Sequence, residues 1–461
     1  MKKVMFVLLA IAILATNSFA ATKEWTVMVF LNADNNLERF GIADLKECEK
    51  IGSDENVNIL VQLDRAEGYD TSNGNWTGTK RYYVTKNNLS TIGSQVVMDC
   101  GEVDMGSWEE AVDFFKWGAD NYPANRYLYV YWNHGAGWVK EGEIQAVKGI
   151  SYDDQSGNHI DSIGMKKAAD GMAAHIGRKV DIVAFDACLM GMVEIQAQME
   201  ETVDILVASE ETEPGDGWDY VGAMGAIVDN PTASTAVISR KLVEAYMASY
   251  EGQSNWWGPS TCTQASSYVA KVGRIQEAID AFAAAIIKSN DFVAFGKAMT
   301  GAQSYAYSFY KDLIHFAQIV KDNSSSNSVK VAANGVIDAV NSSVILSMWQ
   351  ADKVKNSNGL AIYAPKSHEY KSHYIYTEFA KNTAWDELLQ AYYGNRDAVA
   401  IVQNFENSIN TENEEAYAKN IIRSIELGDK ELNELVNERA SERPEVYSDL
   451  MAIVNQVNLL K

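Results

Sequence analysis

Short apolar runs rich in β-branched and aromatic residues alternate with amphipathic segments along the first half of the chain. Runs of this length are typical of strands buried in a sheet, whereas apolar residues three or four positions apart predict helices. Helical patterns separate most of the runs, so residues 24 to about 220 are predicted to form a three-layer α/β/α unit. The predicted strands cover residues 25–31, 57–63, 80–86, the run from 126 that ends before His134, 150–152, 182–185 and 203–209.

The second half of the chain has a more helical pattern. Residues 269–287 carry apolar side chains at helical spacing, and residues 359–365 form a predicted strand. Beyond Gly394 the sequence is acidic and helix-prone and carries no obvious chemistry. We therefore divide the chain into a signal peptide (1–20), an α/β/α domain (21–260), a C-terminal part of the same unit (261–393) and a helical acidic tail (394–461).

The N-terminal residues have the composition of a signal peptide. Lys2 and Lys3 precede an apolar stretch, and Ser18-Phe19-Ala20 forms a cleavage site of the small-x-small type. The apolar stretch is too short to span a bilayer comfortably, and no cysteine follows it for lipid attachment. We expect an exported soluble protein, periplasmic or extracellular, without a stable membrane anchor, whose mature chain starts near Ala21.

Composition excludes several classes of function. A net charge of −23 repels a phosphate backbone, so nucleic acid is not an expected partner, whereas a basic peptide would be attracted. Cys48, Cys100, Cys188 and Cys262 are too few for a disulfide scaffold in a chain of 461 residues. Cys48 is expected on a buried helix face and Cys100 and Cys262 in loops, and one disulfide stays an open alternative. No cysteine pair has the spacing of zinc ligands, so no metal ligands are predicted.

A histidine and a cysteine each follow a predicted strand. In an open parallel sheet, reacting groups gather just past the carboxyl ends of the strands, where His134 and Cys188 are expected. Their separation of 54 residues suits one intervening βα unit, so the two strand ends can be neighbours. The imidazole can then act as a general base or stabilise the nucleophilic thiolate. Either residue alone is more often a core or loop residue, but the two together favour a nucleophile and its base.

Two further residues beside this pair have a physical role. Gly135 lets a substrate carbonyl approach closely, and its N–H together with that of Cys188 can stabilise a developing oxyanion. Asp186 stands two residues before the cysteine, so on an extended strand its carboxylate and the thiol face one wall of a cleft. The alternative is a solvated or capping aspartate.

Several blocks of the sequence occur in the order found in a known family. The blocks are WTVMVFLNADNNLE at 25–38, WNHGAGW at 132–138, FDACLMGMVE at 185–194 and ASEETEPGDGW at 208–218, and the similarity extends to 359–365 and 383–385. They resemble the clostripain family of cysteine peptidases. The resemblance implies a caspase-like α/β/α sheet with a helix-rich C-terminal part. It also implies an endopeptidase in which His134 is the general base, Cys188 the nucleophile and Gly135 an oxyanion donor. Residues 394–461 lie outside the resemblance.

The resemblance also implies cleavage after basic residues. Asp186 matches an acidic residue that binds an Arg or Lys side chain in this family, and Asp216 resembles a second acidic pocket residue. A buried carboxylate pair would favour Arg through bidentate contacts and admit Lys as a point charge. Glu210, Glu211 and Glu213 are expected at a solvated or calcium-binding loop edge. No cofactor is required by the chemistry; calcium dependence occurs in the family, although the sequence has no EF-hand pattern.

The segment between the two strand ends is a candidate for self-cleavage. Residues 139–149 are polar, contain glycine and two lysines, and are expected to form a surface loop that can enter a protease cleft. Members of the family are commonly activated by a cut in this interval. Lys148 is the preferred site because Gly149 places no side chain after the scissile bond. The alternative is an exposed loop that is never cut.

Two other classes of function remain as alternatives. A glycoside hydrolase would use two carboxylates, for which residues 210–219 offer candidates, but His134 and Cys188 would then have no role. A non-catalytic binding protein on the same scaffold would not need the pair at all. The sequence therefore favours a cysteine endopeptidase.

Overall fold

The computed structural model describes residues 22–138, 149–255, 258–394, 398–411, 413–427 and 429–459. The predicted signal peptide and the predicted cleavage residue Lys148 lie outside these ranges. Among the helices of the described ranges, none is long and apolar enough to cross a membrane.

The strands and helices are numbered in chain order. The strands are β1 (Lys23–Ala33), β2 (Val57–Arg65), β3 (Gly78–Tyr83), β4 (Gln95–Gly101), β5 (Ala124–Trp132), β6 (Ile150–Asp153), β7 (Asn158–Ile160), β8 (Val180–Asp186), β9 (Val203–Ala208), β10 (Ser254–Asn255), β11 (Gly258–Pro259), β12 (Cys262–Tyr268), β13 (Tyr310–Asp312), β14 (Val344–Gln350) and β15 (Ala361–Tyr363). The helices are α1 (Glu38–Ile51), α2 (Trp108–Asn121), α3 (Ser162–Ile176), α4 (Val193–Gln198), α5 (Tyr220–Val228), α6 (Thr235–Tyr250), α7 (Val272–Ser289), α8 (Phe292–Gly301), α9 (Leu313–Asn323), α10 (Asn327–Ser343), α11 (Glu378–Asn382), α12 (Trp385–Tyr393), α13 (Ala398–Ser408), α14 (Glu414–Glu426), α15 (Lys430–Glu442) and α16 (Pro444–Leu459).

One large sheet organises the chain, with strand order β14-β12-β9-β8-β5-β1-β2-β3-β4. The central strands β9, β8, β5, β1 and β2 run parallel, and the strands outside them are antiparallel to their neighbours. Successive residues of β1 face opposite sides: Met28 and Phe30 pack with α2 and α3, whereas Val27 and Val29 pack with α1, α5 and α6. Because both faces are covered, the central strands are continuous apolar runs. The predicted three-layer α/β/α sheet is confirmed.

The C-terminal part of the chain is rich in helices. Helices α7 to α10 and α12 pack on the same sheet face as α2 and α3 and belong to the same hydrophobic core. Helices α13 to α16 enclose a separate small core that includes Phe405, Ile421 and Tyr447. The tail contacts the rest of the protein through polar pairs, among them Arg423 Nη1 and Asp280 Oδ2 at 3.1 Å.

Some local predictions are wrong for physical reasons that the sequence pattern does not show. Cys262 is not in a loop but lies fully buried in β12. Cys100 lies in edge strand β4. Neither cysteine forms a disulfide. The predicted strand 359–365 shortens to β15 and pairs with β13, outside the large sheet.

Candidate active site

His134 and Cys188 occupy equivalent positions past two neighbouring parallel strands. In β5 and β8, Trp132 is the register partner of Asp186. His134 and Cys188 each follow two residues later, so their separation of 54 residues equals the register offset of the pair. Both residues line the same two adjoining cavities at the carboxyl edge of the sheet. The register of one strand pair therefore brings the predicted nucleophile and base into one cleft.

A strained turn presents the cysteine. Leu189, directly after Cys188, has a φ of +64°, a region that side chains other than glycine rarely occupy. Two backbone hydrogen bonds hold this turn: Leu189 N–H donates to the carbonyl of Glu211 at 3.1 Å, and Gly191 N–H to that of Ser209 at 2.7 Å. Strain of this kind is often found at functional sites, where the surrounding structure maintains it.

The His134 ring is oriented by an asparagine. Its Nε2 lies 2.8 Å from Oδ1 of Asn36, in the turn between β1 and α1. Because an amide oxygen only accepts, this contact places the proton on Nε2 and leaves Nδ1 as the basic nitrogen of the neutral ring. The ring reaches solvent at the cleft, yet surrounding protein atoms desolvate it and lower the pKa of His134, an effect that Asp154 opposes.

The thiol of Cys188 is in an environment that favours its neutral form. Burial raises the pKa of Cys188, and the charges of Asp186 and Glu211 raise it further, against the opposing effect of the Glu213 backbone. That backbone N–H donates to the sulfur at 3.3 Å. Together with the lowered pKa of His134, this arrangement favours a neutral thiol beside a neutral imidazole at neutral pH.

Gly135 is required by the contact between the two strand ends. A Cβ atom at this position would lie 2.3 Å from the carbonyl oxygen and 3.0 Å from the backbone nitrogen of Cys188. A side chain would therefore push His134 and Cys188 apart. The predicted pair of oxyanion donors, the N–H groups of Gly135 and Cys188, consequently belongs to two segments in direct backbone contact.

An acidic cavity opens beside the thiol. Asp186, Asp44 and Glu213 line it together with His134 and Cys188. Burial raises the pKa of Asp186 to about 6, and hydrogen bonding with Glu213 opposes that shift. Burial, and then the charge of Asp186, raises the pKa of Glu213 well above its ordinary value. The predicted second pocket residue, Asp216, is exposed and is not among the residues that line this cavity.

The acidic segment after β9 is not a solvated edge. Glu210 and Glu211 are each only 1% exposed. Oε2 of Glu210 accepts the backbone N–H of Gly359 at 2.8 Å, and Oε1 of Glu211 accepts that of Ala306 at 2.9 Å. The expectation of a solvated edge is wrong for these two residues because segments of the C-terminal part cover them.

Sequence reasoning missed three residues of the cleft. Asn36 and Asp44 lie in or beside α1, far along the chain from Cys188, and Glu213 was assigned to the loop edge. Asp44 Oδ2 accepts the indole N–H of Trp132 at 2.7 Å, which fixes the base of the cavity. The block 25–38 contains Asn36, but no spacing rule points from it to a histidine almost a hundred residues later. A separate group of carboxylates, near the β1–α1 turn, could hold a metal ion.

Comparisons with known proteins agree with this architecture. The sequence profile of the clostripain family matches residues 29–392. The chain is 23% identical over 429 residues to the clostripain of Hathewaya histolytica, with 81% of this chain and 80% of the relative covered.

Two solved structures have the same fold. One is a secreted C11 cysteine protease from Bacteroides thetaiotaomicron bound to an irreversible peptide inhibitor, with a TM-score of 0.60 and 19% identity over 79% of this chain and 100% of that chain. The other is an inactive zymogen C11 protease from Parabacteroides distasonis, with a TM-score of 0.57 and 16% identity over 78% of this chain and 98% of that chain. These likenesses confirm the predicted caspase-like sheet.

The family profile extends from β1 to α12 and includes both strand ends of the cleft. A match over most of the chain, together with a fold shared with C11 proteases, leaves the glycoside hydrolase and binding-protein alternatives without support. The chain belongs to the clostripain family and is a cysteine endopeptidase.

Proposed function

We propose that this peptidase is exported and cleaves peptides after Arg or Lys, with Cys188 as the nucleophile and His134 as the general base. The observation that carries the proposal is the shared register of β5 and β8, which places the histidine and the cysteine over one acidic cavity. One cleft then contains a nucleophile, a base with an orienting partner, and a pocket whose charge is opposite to that of the substrate side chain.

Acylation starts from the neutral thiol of Cys188 and the neutral imidazole of His134. Nδ1 of His134 takes the thiol proton as Cys188 Sγ attacks the scissile carbonyl carbon, and the carbonyl oxygen becomes an oxyanion. The N–H groups of Gly135 and Cys188 stabilise that oxyanion. The imidazolium then gives its proton to the leaving amine, and the thioacyl-enzyme remains. Water attacks the thioester with the same histidine as base, which releases the acid and restores the thiol. No cofactor takes part in these steps.

The acidic cavity supplies the proposed specificity. Asp186 carries the negative charge at neutral pH, while Glu213 holds a proton in the absence of substrate because two adjacent buried carboxylates cannot both ionise at low cost. An incoming guanidinium or ammonium group would favour the ionised form of both, and two carboxylates could pair with one guanidinium. Asp216, exposed on the turn, would act only through its charge at the rim.

Export is supported by the N-terminal sequence and by one structural relative. The first 20 residues read as a signal peptide, and the related Bacteroides thetaiotaomicron enzyme is described as secreted. Either a periplasmic or an extracellular location fits this proposal.

Self-cleavage at Lys148 is proposed on the basis of the strand order. A cut there leaves His134 and β1 to β5 on one fragment, and Cys188 with β8, β9, β12 and β14 on the other. The fragments would stay joined along β5 and β8, where five register pairs connect them. Packing also explains Gly149, because a Cβ there would lie 2.1 Å from the carbonyl oxygen of Ile160. The zymogen form of the Parabacteroides distasonis relative is consistent with such activation.

Loss of either proposed catalytic residue should abolish turnover. Cys188→Ala and His134→Ala are each expected to reduce kcat/KM on an Arg substrate to background without lowering thermal stability much. The double variant should be no worse than either one, since the two groups act as a unit. Cys100→Ala is the control, because that thiol lies on an edge strand, and it should stay active and sensitive to iodoacetamide. Substantial turnover by Cys188→Ala would exclude the assignment.

Asp186→Asn should remove most of the preference for a cationic side chain. Loss of one partner of a buried charge pair costs about 2–5 kcal/mol, which corresponds to at least about thirtyfold in kcat/KM. Paired substrates with Arg or the isosteric neutral citrulline separate charge recognition from a general loss of activity. The ratio of kcat/KM on the Arg substrate to kcat/KM on the citrulline substrate should fall in Asp186→Asn. It should fall less in Glu213→Gln and change little in Asp216→Asn. An unchanged ratio in Asp186→Asn would place the specificity pocket elsewhere.

The free enzyme should contain a neutral Cys188 thiol at neutral pH. Because its pKa is raised, the thiol stays protonated until the pH exceeds the ordinary range of cysteine. The test is the ultraviolet absorption of thiolate in the wild type minus that in Cys188→Ala, a difference that cancels the other three cysteines. We expect no thiolate signal at neutral pH and its appearance only under alkaline conditions. A signal that persists into mildly acidic solution would show an ion pair instead.

Purified wild type should separate into two fragments on a denaturing gel, with the second beginning at Gly149. The fragments should coelute under native conditions because they share the large sheet. Cys188→Ala and Lys148→Ala are expected to stay intact, and Lys140→Ala is the matched control that should still be cut. A wild-type chain that is intact yet fully active would exclude a required cut. If the Cys188→Ala chain is also cut, another protease makes the cut.

A further inference from the structure

A second cavity adjoins the acidic one and has a different chemistry. Of the described residues, only His134 and Cys188 line both cavities. The acidic cavity has a volume of about 130 Å³ and its neighbour about 550 Å³, which is ample for a peptide side chain. Three tyrosines from distant segments line the larger cavity: Tyr69 after β2, Tyr152 in β6 and Tyr307 before β13. We call it the tyrosine cavity.

The stereochemistry of the proposed acylation step directs the leaving group toward the tyrosine cavity. The attacked carbon carries the Cys188 sulfur, the substrate Cα, the oxyanion and the leaving nitrogen. Gly135, a proposed oxyanion donor, lines the tyrosine cavity and not the acidic one. When the side chain before the scissile bond occupies the acidic cavity, the residue after that bond therefore lies on the side of the tyrosine cavity.

Two of the three tyrosine rings are held in place by stacking. Tyr307 stacks on Phe309, with ring centroids 5.3 Å apart and an interplanar angle of 11°. Tyr152 stacks on His159, with ring centroids 5.6 Å apart and an angle of 18°. Rings fixed in this way offer a large apolar surface with little further loss of side-chain entropy on binding. The tyrosine cavity is therefore preorganised for an apolar side chain.

The segment that carries Tyr307 is fixed to the turn that presents the cysteine. Ala306 N–H donates to Oε1 of Glu211 at 2.9 Å. The carbonyl of the same Glu211 accepts the N–H of Leu189, directly after Cys188. Burial, and then the charge of Cys188, raises the pKa of the Tyr307 hydroxyl, as expected where a hydroxyl and a thiol face one cavity.

The same segment is also fixed to the histidine side of the cleft. The Tyr310 hydroxyl donates to the carbonyl of Ala136 at 2.7 Å, and Ala136 lies two residues after His134. Because Tyr307 lies between this contact and that of Ala306, its position is set relative to both reacting side chains. A residue of the C-terminal part thereby forms a wall of the cleft.

We propose that the tyrosine cavity binds the side chain that follows the scissile bond and prefers a large apolar or aromatic one, with Tyr307 as the residue that determines this preference. The fixed rings favour burial of apolar surface. Asp154, exposed at the rim, accepts the Tyr69 hydroxyl at 3.3 Å and opposes an acidic side chain through like charge. The inference rests on the proposed function for the direction of the substrate, and it adds selection on the leaving-group side.

The test reads both sides of each cut in one digestion. A library of unstructured peptides is digested to low conversion with purified wild type, and mass spectrometry identifies the residues before and after each cut. Relative to their abundance in the library, we expect Phe, Tyr, Leu and Met after the cut at least about tenfold more often than Gly, and Asp and Glu least often.

The two sides of the cut test different statements. An even distribution after cuts that follow Arg or Lys would overturn the subsite and retain the proposed function. An excess of Lys and Arg after the cut would also overturn it, because the charge of Asp154 and not the rings would then select the substrate. Cuts without a basic residue before them, or no cuts at all, would contradict the proposed function and the substrate direction that the subsite needs.

Variants separate the Tyr307 ring from its hydroxyl. In Tyr307→Ala the ratio of cuts before Phe to cuts before Gly should fall about tenfold, whereas Tyr307→Phe keeps the ring and should keep the ratio. Tyr268→Ala is the matched control, because that tyrosine is exposed at the end of β12 and lines neither cavity. A wild-type ratio in Tyr307→Ala would overturn the proposal. The ratio compares cuts made by the same active molecules, so a partly misfolded sample does not change it.

Asp154→Asn tests the rim at an exposed position that leaves the rings intact. Cuts before Asp and Glu should become severalfold more frequent, while the ratio of Phe to Gly stays that of the wild type. A fall of the Phe to Gly ratio in this variant would show that charge, and not the Tyr307 ring, determines the preference.

Discussion

The active cleft depends on the parallel pairing of β5 with β8. Trp132 and Asp186 are register partners, so the residues two positions beyond each strand, His134 and Cys188, occupy equivalent places at one sheet edge. A shift of one residue would move the side chains of a strand to the opposite face of the sheet. Two buried strands packed on both sides resist such a shift, because every apolar residue would be displaced with it. The proposed catalytic geometry is thus stabilised by the core itself.

Desolvation of carboxylates is the second constraint, and it would give the cleft the proposed selectivity for a cationic side chain. Asp186 and Glu213 lie in protein surroundings that disfavour the ionised form and share one hydrogen-bonded contact. The cost of desolvating such a pair is poorly offset when the pocket is empty, and it is offset well when a cation enters.

Sequence pattern was sufficient for the sheet and for the pair of strand-end residues. Apolar runs bounded by polar residues have the correct length and spacing, and a histidine and a cysteine after two such runs are a local signal. The pattern failed where burial comes from distant segments. Cys262 is covered by strand pairing, and Glu210 and Glu211 by residues of the C-terminal part, so polar neighbours along the chain suggested exposure for all three. Asn36 and Glu213 were missed for the same reason, since only the tertiary structure brings them to the cleft.

The parallel pairing of β5 with β8 also bears on how cleavage could regulate such a fold. His134 and Cys188 lie on opposite sides of the 139–148 segment in sequence and on adjacent strands in space. The five register pairs of β5 and β8 lie outside residues 139–148, so a cut within that segment leaves these pairs on adjacent strands. A cut could alter activity only by changing access to the cleft or the freedom of residues 149–155, which pack against the β1–α1 turn. The proposed cut would release the N-terminal end of that segment, one residue before β6 begins at Ile150.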